Sequence, residues 1–168
     1  MGMIVVGLGL ASCAADAQRD SLSTVVHRTI TQLSEAGDAL AEKGQYREAI
    51  AKYEEALALI PAPKTDWEAA TWLYTAIGDA HFLAGRFGPA RDALAQAMRS
   101  PGAVGNPFIH LRLGQAQLEL GDEARAADNL ARAYLQEGVS IFEGADPKYL
   151  AFIKSKLRPP PGGWPTGW

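Results

Sequence analysis

The 168-residue chain has a single cysteine, Cys13, so it can form no internal disulfide and no cysteine-based zinc site. Its three histidines, His27, His81 and His110, lie far from any H-x-x-x-H or H-E-x-x-H spacing, so no metal site is expected. There is no G-x-S-x-G, no phosphate-cradling glycine loop and no Cys–His pair in local context, which leaves no enzymatic motif. No cofactor is expected. No apolar run reaches the roughly 18 residues that cross a bilayer as a helix. Basic residues are also short: Lys and Arg total 16 against 19 Asp and Glu, a net charge of −3, so nucleic acid is not an expected partner.

What is abundant is Leu and Ala, with Gly and Pro at regular breaks, a composition suited to helices with short connections. Three segments align: "GDALAEKGQYREAIAKYEEALALIP" from Gly37, "GDAHFLAGRFGPARDALAQAMRSP" from Gly78 and "GQAQLELGDEARAADNLARAY" from Gly114. Each runs Gly, six residues, Gly, then Ala five residues on and a second Ala seven further. The positions are Gly37/Gly44/Ala49/Ala56, Gly78/Gly85/Ala90/Ala97 and Gly114/Gly121/Ala126/Ala133. The same small residues thus recur in phase through all three segments. The spacing is unequal, 41 residues from Gly44 to Gly85 and 36 from there to Gly121. The excess lies in "PAPKTDWEA" and "SPGAVGNPF", whose Pro and Gly read as extended loops.

These segments resemble the tetratricopeptide repeat family, whose unit of about 34 residues carries W-x2-L-G-x2-Y, then A-x3-F, then P. The corresponding residues are Leu33, Ala36, Gly37, Leu40, Ala49, Tyr53 and Pro61, then Tyr74, Ile77, Gly78, His81, Ala90, Leu94 and Pro101. The third set is His110, Leu113, Gly114, Gln117, Ala126 and Leu130, with no closing Pro. The resemblance implies an all-α fold: an α-solenoid of three helix pairs plus a C-terminal capping helix. Its expected divisions are 30–63, 64–104 with a leading loop, and 105–138, then the capping helix in 139–158 and a Pro/Gly/Trp tail in 159–168. Residues 14–29 are expected to be a tether and the start of the first helix.

Local signals refine the helices. Asp20 or Ser21 would cap a helix running to Lys43, Asp66 would cap the second repeat, and Asn106-Pro107 the third. Asp146-Pro147 opens "PKYLAFIKSKL", the amphipathic segment that would close the apolar end of the stack. Glu48/Lys52, and Glu119 and Glu123 flanking Arg125, read as charge pairs on solvated faces. His81 and His110 stand where the repeat carries aromatics and are expected to be packed, partly buried side chains.

In this family the first helix of each unit lines a binding groove. By that correspondence the groove would present Ser34, Glu35, Asp38 and Glu42, then Trp72, Thr75, Asp79 and Phe82, then Phe108, Leu111, Arg112 and Gln115. Members that hold a peptide's terminal carboxylate use Lys, Asn and Arg there. Mainly Asp and Glu stand here, so a basic or aromatic-containing protein segment is the expected partner. The aromatics admit a second reading as ordinary inter-repeat core. Trp164 and Trp168 of the tail could fill the chain's own groove or anchor a partner.

The opening "MIVVGLGLASCAAD" reads in two ways. As a strand with Gly7-Leu8-Gly9 it suggests a dinucleotide turn, but the G-x-G-x-x-G/A pattern ends in Ser12 and no βαβ unit follows. As an apolar run of signal-peptide length ending in Leu10-Ala11-Ser12-Cys13, it resembles a bacterial lipoprotein signal over residues 1–13. That resemblance implies diacylglyceryl attachment at Cys13 and, with Ala14 next, a periplasmic outer-membrane location. Met1-Gly2 supplies no basic n-region, so either the signal is atypical or the true start lies upstream of Met1; a cytoplasmic protein with an incidental Cys13 is the alternative. The expected function is a non-catalytic adaptor. A weaker resemblance of "NPFIHLRLGQAQLELG" to stand-alone bacterial repeat proteins leaves a toxin-neutralising immunity protein as the other reading.

Overall fold

The computed structural model describes residues 22–159 and 161–163. The proposed signal, Cys13, the caps Asp20 and Ser21, and the tail tryptophans Trp164 and Trp168 lie outside the described residues. Among the described residues seven α-helices follow in order: α1 (Thr24–Ala41), α2 (Tyr46–Ala58), α3 (Glu68–Leu83), α4 (Phe87–Ala97), α5 (Pro107–Glu119), α6 (Glu123–Glu137) and α7 (Pro147–Lys156). Short 3-10 turns occupy Lys64–Asp66 and Gly138–Phe142, and the described residues contain no strand. The first six helices pair as α1–α2, α3–α4 and α5–α6. Each pair packs on the next through α2–α3 and α4–α5. The fold is therefore the expected solenoid of three helix pairs with α7 closing the end.

One backbone device makes each hairpin. Glycines at 44, 85 and 121 sit at φ of 72°, 70° and 78° in open space, the left-handed conformation that a Cβ disfavours. In each, the next residue's N–H reaches back five residues, Gln45 to Leu40, Arg86 to His81 and Asp122 to Gln117. The glycine N–H bonds the carbonyl of Ala41, Phe82 or Leu118. This is the Schellman arrangement, and it turns the chain so that the next helix starts at once.

The other glycines of the repeat hold the pairs together. A Cβ on Gly78 would stand 2.5 Å from Leu94 Cγ, and one on Gly114 2.8 Å from Leu130 Cγ. At Gly37 it would run into the Tyr53 ring. Ala49, Ala90 and Ala126, and Ala56, Ala97 and Ala133, are fully buried. Small residues thus let paired helices approach until Tyr53, Leu94 and Leu130 lie directly over glycine backbone. Ile30, Leu73, Ile109 and Ile153 complete a core running the length of the stack.

The caps agree in part with the local signals. Asn106 Oδ1 accepts from the N–H of Phe108 and Ile109, with Pro107 in the first turn, and Asp146 Oδ1 accepts from Lys148 N–H. The first helix, however, opens later than expected, with Ser23 Oγ accepting from Val26 N–H. Asp66 caps nothing: it sits in the 3-10 turn, and Trp67 occupies the cap position without a side-chain bond. The long loop before α3 is instead fastened by Lys64, whose ammonium donates to the carbonyls of Leu57 and Ile60.

Charge pairing also departs from the simple helix-face pattern. Lys52 pairs with Glu55 rather than Glu48, and Arg125 with Asp122. Glu119 and Glu123 reach across to the closing helix. Glu119 Oε1 accepts from Lys148 Nζ at 2.6 Å and from Tyr149 Oη at 2.5 Å, and Glu123 pairs with Lys156 at 2.9 Å. Burial would raise the Glu119 pKa, but the hydrogen bonds from Lys148 and Tyr149 outweigh it and hold the carboxyl below its ordinary range. Sequence spacing sees only one helix at a time. These partners come from a helix about thirty residues on.

Candidate functional site

The first helices of the three pairs, α1, α3 and α5, share one face of the stack, and two adjoining clefts open on it. The first holds about 380 Å³ and the second about 430 Å³. Asp38, Glu42, Trp72, Thr75, Asp79 and Phe108 line the first; Phe82, Phe108, Leu111, Arg112 and Gln115 line the second. Every groove residue expected from α3 and α5 reaches a cleft wall. From α1, Asp38 and Glu42 do so. Ser34 is buried, with its hydroxyl donating to Ile30 O, and Glu35 lines neither cleft.

In the first cleft the wall is aromatic and acidic. Trp72 remains 42 % exposed and Leu83 46 %, both large apolar side chains left facing solvent beside the cavity. Asp38 Oδ1 accepts from Tyr53 Oη at 2.7 Å, and burial together with this bond raises the Tyr53 phenol pKa. Asp38 and Glu42 otherwise face outward, and no basic residue lines this cleft. The Thr75 hydroxyl donates to Thr71 O and the Thr71 hydroxyl to Pro101 O, both at 2.7 Å. The second of these ties α3 to the loop that leads into α5.

Arg112 stands at the boundary of the two clefts. Its guanidinium carbon lies 4.5 Å from the Phe82 ring centre and 5.3 Å from that of Phe108. Its Nε is 2.5 Å from Asp79 Oδ1 and its NH1 donates to Gln115 Oε1 at 2.9 Å. Burial raises the Asp79 pKa, and the charge and hydrogen bonding of Arg112 pull against that rise. Both phenylalanines thus lie against a cation of the chain itself, and one of the acids expected to face a partner is already paired. The aromatics differ in exposure. Phe82 and Phe108 serve the inter-repeat packing around Arg112, whereas Trp72 is open.

The second cleft is walled on its far side by residues that the repeat pattern does not contain: Ile141, Glu143, Gly144, Ala145, Asp146 and Tyr149. They belong to the 3-10 turn, the following loop and α7. Tyr149 is buried, packs 6.4 Å from the Phe82 ring, and is held by Glu119. No sequence signal marks these residues as site-forming, because only docking of α7 brings them to the groove. Leu83 and Tyr53 also line the first cleft: Leu83 follows Asp79 by one helical turn on the same face, and Tyr53 reads as core from the sequence.

His81 and His110 are packed side chains, as expected, while His27 is exposed. His81 and His110 are 8 % and 3 % exposed. His110 Nδ1 lies 2.9 Å from Asn129 Oδ1, and Asn129 Nδ2 donates to Gln117 Oε1, so the pair α5–α6 is bridged by a polar chain. Among the described residues no group of three His, Cys, Asp or Glu could hold a metal ion, and no helix is long and apolar enough to cross a membrane.

Comparison with known proteins agrees with this geometry. The tetratricopeptide repeat family matches residues 28–100, the first two helix pairs. No curated protein sequence matches the chain. Among solved structures, the second tetratricopeptide domain of human RPAP3, in complex with the HSP70 peptide SGPTIEEVD, has a TM-score of 0.61 at 17 % identity. The match covers 79 % of this chain and 99 % of that one. The type III secretion chaperone SycD of Yersinia enterocolitica, in complex with a peptide of the translocator YopD, has a TM-score of 0.60 at 15 % identity over 76 % and 92 %. The C-terminal domain of a putative FK506-binding protein of Plasmodium falciparum reaches 0.65 at 16 % identity over 81 % and 91 %. At these identities the likeness is one of fold.

Proposed function

We propose that this tetratricopeptide-like solenoid is a non-catalytic interaction module that binds a segment of a partner protein along the α1–α3–α5 face. The observation that carries this reading is the pair of adjoining clefts. They gather groove residues of three repeats and leave Trp72 and Leu83 exposed beside Asp38 and Glu42, in a cleft whose lining has no cation. Exposed large apolar groups in a concave, polar-rimmed site are characteristic of surfaces that desolvate on binding. Two structural neighbours were solved with bound peptides, which supports the same use of the fold here.

A photo-crosslinking residue at Trp72 in the full chain should capture a partner in cells, whereas one at Glu54, exposed on α2, should not. Asp38→Ala and Trp72→Ala should each reduce capture from a neighbouring crosslinker at Thr75. Retention of the partner at full strength by both variants overturns the groove assignment.

The Leu10-Ala11-Ser12-Cys13 sequence supports a second element of the proposal, a lipid anchor on Cys13 that holds the module at the periplasmic face of the outer membrane. Labelled palmitate should enter the protein and be lost in Cys13→Ser. Unlabelled, soluble protein from the native start sinks the anchor and leaves the groove reading intact.

A further inference from the structure

Gln115 is fully buried, yet its amide is only half used. Arg112 can only donate, so the atom it meets must be Gln115 Oε1, and this fixes which end of the amide is the nitrogen. Nε2 then has no acceptor in the protein. A buried donor without a partner is costly and uncommon in a folded core. This one belongs to the wall of the second cleft, whose other members are mostly apolar: Phe82, Leu83, Phe108, Leu111, Ile141 and Tyr149. The adjoining first cleft is the more acidic of the two, with Asp38, Glu42 and Asp79 and no cation in its lining, whereas Arg112 stands beside Glu143 and Asp146 in the second.

We propose that the two clefts read different parts of one bound segment. The second takes an apolar side chain, with the adjacent main-chain carbonyl accepting from Gln115 Nε2. The first takes a basic side chain against Asp38 and Glu42. Asp79 is left out of this role because Arg112 already neutralises it. The assignment rests on the groove reading above and adds the chemistry of its occupant. A carbonyl suits Gln115 because a neutral acceptor adds no charge beside Glu143 and Asp146 on the cleft wall. The 430 Å³ of the second cleft accommodates a large aliphatic or aromatic side chain. Leu83 lines both clefts and forms the ridge that the segment would cross.

The test starts with a random dodecapeptide phage library panned on the immobilised full chain. Enriched peptides should pair a Lys or Arg with a Leu, Phe or Trp within a few residues. Their dissociation constants, measured by fluorescence anisotropy, are then compared across variants. Gln115→Glu keeps the acceptor for Arg112 but replaces the donor by an acceptor, and should weaken binding more than tenfold. Gln115→Met, which removes the bond without adding charge, should weaken it roughly 3- to 10-fold. Leu83→Arg, at an exposed position that folding tolerates, should abolish binding. Asp38→Asn with Glu42→Gln should remove the enrichment of basic residues while apolar residues are still selected. Unchanged affinity in Gln115→Met and Leu83→Arg, each folded by circular dichroism, overturns the second-cleft assignment. Enrichment of acidic peptides overturns the charge register. Failure of the folded chain to enrich any peptide counts against the groove reading itself.

Discussion

Replacing Gly78 by Ala tests the packing on which the whole stack depends. In a helix, Ala is favoured over Gly by about 1 kcal/mol, so on propensity alone the change is stabilising. The new methyl, however, would lie 2.5 Å from Leu94 Cγ, 3.1 Å from Leu94 Cδ2 and 3.2 Å from the Ala90 carbonyl oxygen. Leu94 is fully buried, with no free space into which to rotate, and Ala90 is backbone of the facing helix. Overpacking of this kind costs about 1–3 kcal/mol. The two effects leave a net loss of up to about 2 kcal/mol, read as a fall in Tm of roughly 2–8 °C. In a Leu94→Ala background the side-chain clash is gone, so the same Gly78→Ala change should become stabilising by about 0.5–1 kcal/mol. Urea unfolding followed at 222 nm in the four members of this cycle measures both signs. If Gly78→Ala stabilises the native background by as much as it stabilises Leu94→Ala, the glycine does not serve the helix crossing and the close-approach reasoning fails.

Four further outcomes follow from named contacts. Gly85→Ala meets no atom but must hold φ near 70°, so it should cost about 1–2 kcal/mol and, unlike Gly78→Ala, should not be rescued in the Leu94→Ala background. Tyr149→Phe removes the bond to Glu119 and should cost about 1–3 kcal/mol, seen in Tm and in faster proteolysis within residues 138–158. Arg112→Ala leaves Asp79 without its cation and strips packing from two phenylalanines. It should cost about 1–3 kcal/mol, more than Asp79→Asn, which keeps the packing. Burial, with a smaller contribution from Arg86, lowers the His81 pKa from its ordinary 6.5, so the unfolded chain takes up the proton first as the pH falls. Stability should therefore drop as pH descends through about 6.5, and His81→Phe should flatten that slope in pH-dependent urea midpoints.

The sequence carried the repeat because its signal is local and steric. Gly44, Gly85 and Gly121 end helices through their own backbone conformation, and Gly37, Gly78 and Gly114 pair with alanines and large residues at fixed offsets along the same hairpin. Asn106 and Asp146 cap helices by bonds that span two or three residues. Each of these depends on neighbours close in the chain, and each was readable. The groove face came instead from the correspondence with the tetratricopeptide repeat, which assigns Asp38, Trp72, Asp79 and Arg112 to the first helices of their pairs.

Tertiary structure alone decided how those residues are used. Asp79 and Arg112 are separated by a whole repeat, and only the α3–α5 approach pairs them and sets the guanidinium against Phe82 and Phe108. Proximity in the sequence offered Glu119 to Arg125, while docking of α7 gave it to Lys148 and Tyr149. That same docking built the second cleft and enclosed Gln115, turning a residue of ordinary polarity into a buried amide with one donor unspent. Backbone turns and helix crossings are fixed by chemistry within a hairpin. Burial and ion pairing are properties of what the hairpins meet, and no spacing within a repeat encodes the partner on the next one.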